Sequence, residues 1–179
     1  MKNIEKSKTF TVESMIAMLE ERDILSPINK EVDKFNIKEG NIIIDYGCGS
    51  GGYTKRVSEL IGDNGTVYAV DIQELAIESV KKKINKYHLR NVEPILVKNI
   101  NLIKDNVADI VIAIDMFHMV QETNVFLEEL HRLLKKDGIL FIGMHHMSLD
   151  DAQSKILNSN LWEIECELDN CLKCIPITK

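Results

Sequence analysis

Short apolar runs rich in β-branched residues alternate along the chain with stretches of helical periodicity. The first run, Ile42-Ile43-Ile44, follows a turn at Lys38-Glu39-Gly40 and ends in Asp45, where a glycine-rich segment begins. Thr54 to Ile61 reads as a helix stopped by Gly62-Asp63-Asn64-Gly65. Thr66 to Val70 is a second buried strand ending in Asp71, and Ile77, Val80, Ile84 and Tyr87 mark the helix that follows it. Val92 to Val97 is a third strand. The fourth, Asp109 to Ile114, ends in Asp115, and the next helix places Phe126, Leu127, Leu130, Leu133 and Leu134 on one face. Asp137-Gly138 then turns the chain into Ile139 to Met144. Strand and helix repeat about five times, the pattern of a doubly wound α/β fold with a mostly parallel sheet covered on both faces.

The two ends of the chain differ from this middle. Residues 11 to 21 form an amphipathic helix with Val12, Met15, Ile16 and Leu19 on one face, broken by Arg22-Asp23-Ile24-Leu25-Ser26-Pro27. A second short helical stretch spans Ile28 to Phe35. At the other end, a helix from about Asp150 to Asn158, with Ser148 and Asp151 as caps, precedes two closely spaced strands. Leu161 to Leu168 alternates, with Trp162, Ile164, Cys166 and Leu168 on one face and Glu163, Glu165 and Glu167 on the other. Asp169-Asn170 turns the chain back into Cys171 to Thr178. Pro176 cannot donate a ladder bond, so it belongs at that strand's end or in a bulge.

Composition narrows the class. The 179 residues suit one domain, 1–39 being a helical lid segment and 40–179 the core. Apolar residues at 45% and charged residues at 28% are those of a soluble globular chain. No apolar run approaches a membrane span and the first residues carry no apolar leader, so a cytoplasmic protein is expected. A net charge of −6 argues against a broad nucleic-acid surface, and the most basic run, Lys81 to Lys83 with Lys86, reads as the solvated face of a helix. Cys48, Cys166, Cys171 and Cys174 read as thiols. Cys166 and Cys174 are expected in the core of the hairpin, and Cys171-x-x-Cys174 alone is weak evidence for a metal.

The chemistry concentrates in Asn41 to Tyr53, N-I-I-I-D-Y-G-C-G-S-G-G-Y. Gly47, Gly49 and Gly51 let the loop turn sharply, with main-chain N–H groups free to close on a ligand. Asp45, at the strand's carboxyl end, is too polar to lie there without a partner, which points to a positively charged or hydroxyl-bearing ligand. The segment I-I-I-D-Y-G-C-G-S-G-G-Y-T resembles motif I of the class I S-adenosylmethionine-dependent methyltransferases, including the cysteine common there. The chain is similar to the small, single-domain ubiquinone/menaquinone-type group of that family. Gly47, Gly49 and Gly52 also satisfy the dinucleotide spacing G-x-G-x-x-G. A dinucleotide site, however, wants an apolar residue in place of Asp45, gives Gly51 no role and needs a second domain.

The resemblance implies a seven-stranded sheet in the order 3-2-1-4-5-7-6 with an antiparallel terminal hairpin. It also implies a cofactor site built from Asp45, Gly47, Cys48, Gly49, Gly51, Tyr53, Asp71, Ile72, Asn99, Ile100 and Asp115. Asp71, 24 positions beyond Gly47, is placed to accept both ribose hydroxyls, and Ile72 to pack on adenine. Helix capping is the simpler role open to Asp71. Asn99 stands where many relatives carry an acid, and its side-chain carbonyl can accept the same adenine bond. Asp115-Met116-Phe117-His118-Met119-Val120 resembles the segment that lines the methyl-transfer site, with Met119 where a second histidine often stands. His118 is the candidate catalytic base, with a cap or a backbone hydrogen bond as its plainer role. His145 and His146 can supplement it, but neighbours on an extended segment point to opposite sides, so at most one should face the pocket.

By the same resemblance Met15, Met18 and Arg22 are lid residues over the cofactor, unless the methionines merely pack on the sheet. The expected function is methyl transfer from S-adenosylmethionine, leaving S-adenosylhomocysteine, to a small-molecule acceptor by in-line attack on the sulfonium methyl. No metal site is expected, and a homodimer is compatible with the sequence. Two other classes fit less well: a non-catalytic cofactor-binding subunit or sensor, and a nicotinamide-binding module.

Overall fold

A computed structural model describes residues 11–25 and 28–178. Seven strands form one sheet in the order β3-β2-β1-β4-β5-β7-β6. They are β1 (Ile42–Tyr46), β2 (Thr66–Asp71), β3 (Val92–Leu96), β4 (Ala108–Ala113), β5 (Leu134–Gly143), β6 (Trp162–Leu168) and β7 (Cys171–Pro176). The first five run parallel, and β7 pairs antiparallel with both β5 and β6. The helices are α1 (Val12–Leu25), α2 (Ile28–Val32), α3 (Gly52–Ile61), α4 (Glu74–Tyr87), α5 (Thr123–Leu133) and α6 (Leu149–Asn158). Strand order and terminal hairpin are those expected.

Successive strand residues point to opposite faces, and each face has its own core. Ile44, Val111, Ala113 and Ile142 face Phe126, Leu127, Leu130 and Ile156 of α5 and α6. Ile43, Ile112 and Phe141 face Tyr53, Val57 and Ile61 of α3, Ile77 and Val80 of α4, and Val32 and Phe35. Phe35 stacks on Phe141 with ring centroids 4.2 Å apart. Both edges are blunted: Pro94 interrupts the donor row of β3, and β6 carries exposed Glu163, Glu165 and Glu167.

Four expectations are corrected. The strand expected at Ile139 begins at Leu134, because Leu134, the last apolar position of the helix face, pairs with Ala108 instead. Pairing resumes at Ile110 and Ile139, so Lys135 to Gly138 bulge opposite Asp109. Asp109 holds that irregularity by accepting from Lys135 Nζ at 2.5 Å and from the Ile42 amide at 2.7 Å. In β6 a second bulge lies at Glu165, since Ile164 faces Cys174 but Cys166 faces Lys173. The extra residue switches the strand's alternation. Trp162 and Ile164 join the α5–α6 side, Leu168 the other, and Cys166 is exposed rather than core. Cys174 is buried as expected, and so is Cys171. Pro176 ends β7.

At the N-terminus, α1 does not stop at Glu21 but continues to Leu25. Its start is capped reciprocally: the Thr11 amide donates to Ser14 Oγ at 2.9 Å and the Ser14 amide to Thr11 Oγ1 at 3.2 Å. Val12, Met15, Ile16 and Leu19 are only partly buried, so this helix rests on the sheet's carboxyl end without entering the core. Ser26 and Pro27, part of the expected break, lie outside the described residues. Among the described residues no helix is long and apolar enough to cross a membrane.

Candidate functional site

The glycine loop joins β1 to α3 through left-handed backbone at Gly47, Gly49 and Gly51, with φ of +81°, +51° and +83°. Its amides are anchored within the chain: Gly47 and Cys48 donate to the Val70 carbonyl at 2.8 and 3.0 Å, and Gly51 to the Cys48 carbonyl at 2.8 Å. The Gly49 amide donates to Asp71 Oδ2 at 3.0 Å. These four N–H groups are therefore not open to a ligand, contrary to expectation. The loop instead offers a closely packed surface: a Cβ on Gly49 would lie 2.9 Å from Leu19 Cδ1 of α1, and one on Gly47 2.8 Å from Met116 Cγ.

Two carboxylates flank this loop. Asp71 ends β2, and its Oδ1 accepts from the Gln73 amide at 2.8 Å while Oδ2 holds Gly49. Its orientation is thus set from both sides, and α4 takes Gln73 as its cap residue. Ile72, beside it, is 69% exposed, an isoleucine left uncovered at the strand end. Asp45 is buried and accepts from Thr54 Oγ1 at 2.5 Å, so the hydroxyl partner required by its burial is supplied by α3. Burial, with the nearby Asp71 charge adding to it, pushes its pKa up to about 7. Cys48 is buried as well, and burial next to these acids raises its thiol pKa, making it a packing residue rather than a nucleophile.

The remaining members of the expected cofactor set lie around the same mouth. Tyr53, in the first turn of α3, donates from its hydroxyl to Glu31 Oε2 at 2.6 Å. Asn99 and Ile100 lie in a 3₁₀ segment, Val97–Leu102, that continues β3 beyond the level of Asp71. Asn99 is exposed, and Ile100 packs against the core.

Asp115 follows β4 with a left-handed φ of 61° and is the meeting point of three segments. Arg22 of α1 pairs with its Oδ2. Nδ1 of His145, just past β5, lies 2.5 Å from Oδ1 but without the alignment of a hydrogen bond. The Arg22 guanidinium also bonds Asp23 at 3.0 Å and lies 5.8 Å above the Tyr53 ring. His118, in the 3₁₀ turn Phe117–Met119, is half-buried, and its ring centre is 5.0 Å from that of His146. Burial first and the neighbouring His146 second lower its pKa, which keeps the imidazole neutral at neutral pH. Its Nδ1 is buried with no hydrogen-bond partner among the described residues.

The rule that only one of the adjacent histidines would face the pocket fails. His146 has a left-handed φ of 61°, so the segment is not extended, and both rings reach the mouth, one at Asp115 and one at His118. Sequence reasoning also missed Asp23, which accepts from Ser50 Oγ at 2.7 Å, and the contact of Ser79 Oγ with Glu20 Oε1 at 3.1 Å. These bonds tie α1 to the glycine loop and α4. Their only local signal was a pair of opposite charges, Arg22-Asp23, inside a presumed break.

A doubly wound sheet in this order, with a glycine loop after β1 and an anchored acid ending β2, defines the class I methyltransferase architecture. Comparison with known proteins agrees. Residues 37–174 match the family described as Methyltransferase domain, and the chain belongs to that family of S-adenosylmethionine-dependent class I methyltransferases. It is 36% identical over 77 residues to the "Probable cobalt-precorrin-6B C(15)-methyltransferase (decarboxylating)" of Saccharolobus solfataricus, covering 40% of this chain and 39% of that protein. It is 31% identical over 102 residues to ribosomal RNA small subunit methyltransferase H of Halothermothrix orenii, covering 57% of this chain and 29% of that protein. The matched stretch is thus well under half the length of either relative. Among solved structures, a SAM dependent methyltransferase from Aquifex aeolicus superposes with a TM-score of 0.80 at 25% identity, covering 94% of this chain and all of that one.

Proposed function

We propose that the chain transfers a methyl group from S-adenosylmethionine to a small-molecule acceptor at the carboxyl end of its sheet. The observation that carries this reading is the pairing of Asp71, a buried carboxylate fixed at both oxygens, with Ile72, an apolar side chain left 69% exposed beside it. Each Asp71 oxygen retains acceptor capacity for a ribose hydroxyl, and Ile72 offers a flat apolar contact to a base. Asp45, Asp71, Asp23 and Asp115 around the loop suit a ligand bearing positive charge. These residues fit the cofactor.

When bound, the sulfonium supplies an electrophilic methyl group. The chain's own part is then orientation and exclusion of water. Asp71, Ile72, Asn99 and Ile100 would hold the nucleoside, while the packed surface of the glycine loop, shaped from beneath by Asp45 and Tyr53, and Asp115 beside it would take the amino-acid end. Arg22, Leu19 and Asp23 draw α1 over that end. His118, neutral and with a buried Nδ1 that no described residue satisfies, would take the acceptor's proton where the acceptor has one to lose.

Few residues separate β3 from β4, and among the described residues no inserted domain offers a surface for a macromolecule. The net charge of −6 disfavours a nucleic acid. Of the acceptors in the relatives' names, cobalt-precorrin suits this reading better than ribosomal RNA. Incubation with methyl-labelled S-adenosylmethionine and separate small-molecule, RNA and protein fractions of a cell extract tests it. Label should appear in the small-molecule fraction, and label confined to RNA or protein would overturn it.

A further inference from the structure

Among the described residues, the side-chain hydrogen bonds and ion pairs that α1 makes with the rest of the chain come from a single turn. Glu20 meets Ser79, Arg22 pairs with Asp115, and Asp23 accepts from Ser50 Oγ. In the same turn Leu19 lies on Gly49, and Asp23 packs on the start of α3, where a Cβ on Gly52 would lie 2.5 Å from its Cγ. Nearer its start the helix is loosely seated. A groove of about 210 Å³ separates it from α4, lined in part by Ile16, Ala17 and Leu75.

That turn lies on the surfaces assigned above to the amino-acid end of the cofactor. On the Leu19 side of Gly49 even a single added carbon would stand 2.9 Å from Cδ1, so no atom of another molecule fits there while the helix is seated. Asp115 is engaged from within the chain at both oxygens: Arg22 pairs with Oδ2, and His145 Nδ1 lies 2.5 Å from Oδ1. An ammonium approaching this carboxylate meets a cation already in place, and the two repel. The seat itself is light. The Arg22–Asp115 pair is partly exposed, and none of the described α1 side chains is fully buried, so the helix can lift without opening either core.

We propose that α1, seated as it is, is an autoinhibitory lid: Leu19 on Gly49 and Arg22 on Asp115 take the place of the cofactor's amino-acid end, and the helix must lift before the cofactor binds. This rests on the cofactor placement given above. The seated chain and the cofactor-bound chain are then exclusive states. The apparent affinity for the cofactor is that of the open chain, reduced by the fraction of chains that are open. Once the cofactor lies on the loop, the same side chains are free to close over it.

The test fixes the helix where it lies. In the chain carrying Asp23→Cys and Gly52→Cys, with exposed Cys166→Ser to prevent mispairing, the two new thiols meet across the contact, and oxidised glutathione joins helix to loop. Gly52 is not on left-handed backbone, so it accepts a side chain once the Asp23 carboxylate is gone. Calorimetry should show S-adenosylhomocysteine binding at least about a hundredfold more weakly to the oxidised than to the dithiothreitol-reduced protein, with circular dichroism unchanged. Equal affinity in the two forms would overturn the proposal, because the cofactor would then bind beside a seated helix. Leu19→Ala and Arg22→Gln, each made alone with the native cysteines, test whether the seated state dominates. By surface plasmon resonance each should raise the association rate constant of S-adenosylhomocysteine about three- to tenfold and change its dissociation rate by less than about twofold. Unchanged or slower association in both would also overturn it. Failure of S-adenosylhomocysteine to bind the wild type and the reduced variant alike would sink the cofactor reading, whereas binding indifferent to the position of α1 would sink the lid alone.

Discussion

After β1 and β2 the chain fixes its functional groups with main-chain hydrogen bonds: Gly47 and Cys48 to Val70, Gly49 and Gln73 to Asp71. After β4 and β5 it relies on side chains that are partly exposed, Asp115, His118, His145 and His146, two of them on left-handed backbone. The first half is a rigid cradle continuous with the core, since Asp45, Cys48, Ser50 and Tyr53 are all buried. The second half is a set of charges and rings bridged by α1, a helix with no fully buried residue among its described side chains. A cofactor shared by a whole family calls for the first kind of construction. An acceptor peculiar to one protein is served by the second, in which side chains change without disturbing the sheet.

Substitutions in the cradle should separate the halves most sharply. Gly49→Val puts a β-branched residue at φ +51° with its Cβ 2.9 Å from Leu19, and Asp71→Ala removes the loop's anchor. Each should weaken S-adenosylmethionine by about a thousandfold or more in calorimetry, with the circular dichroism of the fold retained. On the acceptor side, His118→Ala should slow single-turnover methyl transfer about a hundredfold while leaving cofactor affinity intact. A parallel fall in cofactor affinity would show that the two halves are not independent.

The next effect is one of pH. Asp45 is protonated in the folded chain up to about pH 7, well above an ordinary aspartate. Between about pH 4 and 7 the native state therefore holds a proton that the unfolded chain releases, so this residue's contribution to stability is lost as pH rises through that window. A cation entering the site favours the ionised form, and cofactor affinity should fall by up to about tenfold per pH unit below 7. Chemical denaturation and calorimetry across that range, with Asp45→Asn as the pH-insensitive control, measure both. A pH-independent wild type would contradict this placement of the proton.

The smallest effect concerns α1. Arg22→Ala removes a partly exposed ion pair, and global stability should change by less than about 1 kcal/mol. Amide exchange in α1 should nonetheless accelerate while that of the central strands does not. Equal acceleration in both would mean that α1 belongs to the core.

Sequence made the cradle legible because its determinants are local: β-branched runs, glycines at fixed spacing, and an acid at each strand end. The terminal hairpin was legible from its own alternation and turn, whereas the strand order came from the family resemblance that the glycine segment carries. The bulge at Glu165 was hidden because Glu-Cys-Glu keeps polar and apolar residues alternating whether or not the strand slips. Leu134 completes the apolar face of α5 and equally begins β5, so periodicity placed that boundary wrongly. The acceptor half was less legible still. Arg22 and Asp115 stand 93 positions apart, and the left-handed residue that swings His146 to His118 sits in a turn, closed by the Met147 amide on the Met144 carbonyl, that no glycine, asparagine or proline announces.

The central claim is that the anchored carboxylates and glycine loop take S-adenosylmethionine. Parallel calorimetric titration of the purified chain with S-adenosylmethionine, S-adenosylhomocysteine and NAD tests it most directly. The account predicts binding of the first two in the micromolar range and none of NAD. Binding of NAD alone, or of none of the three by the folded protein, would contradict it.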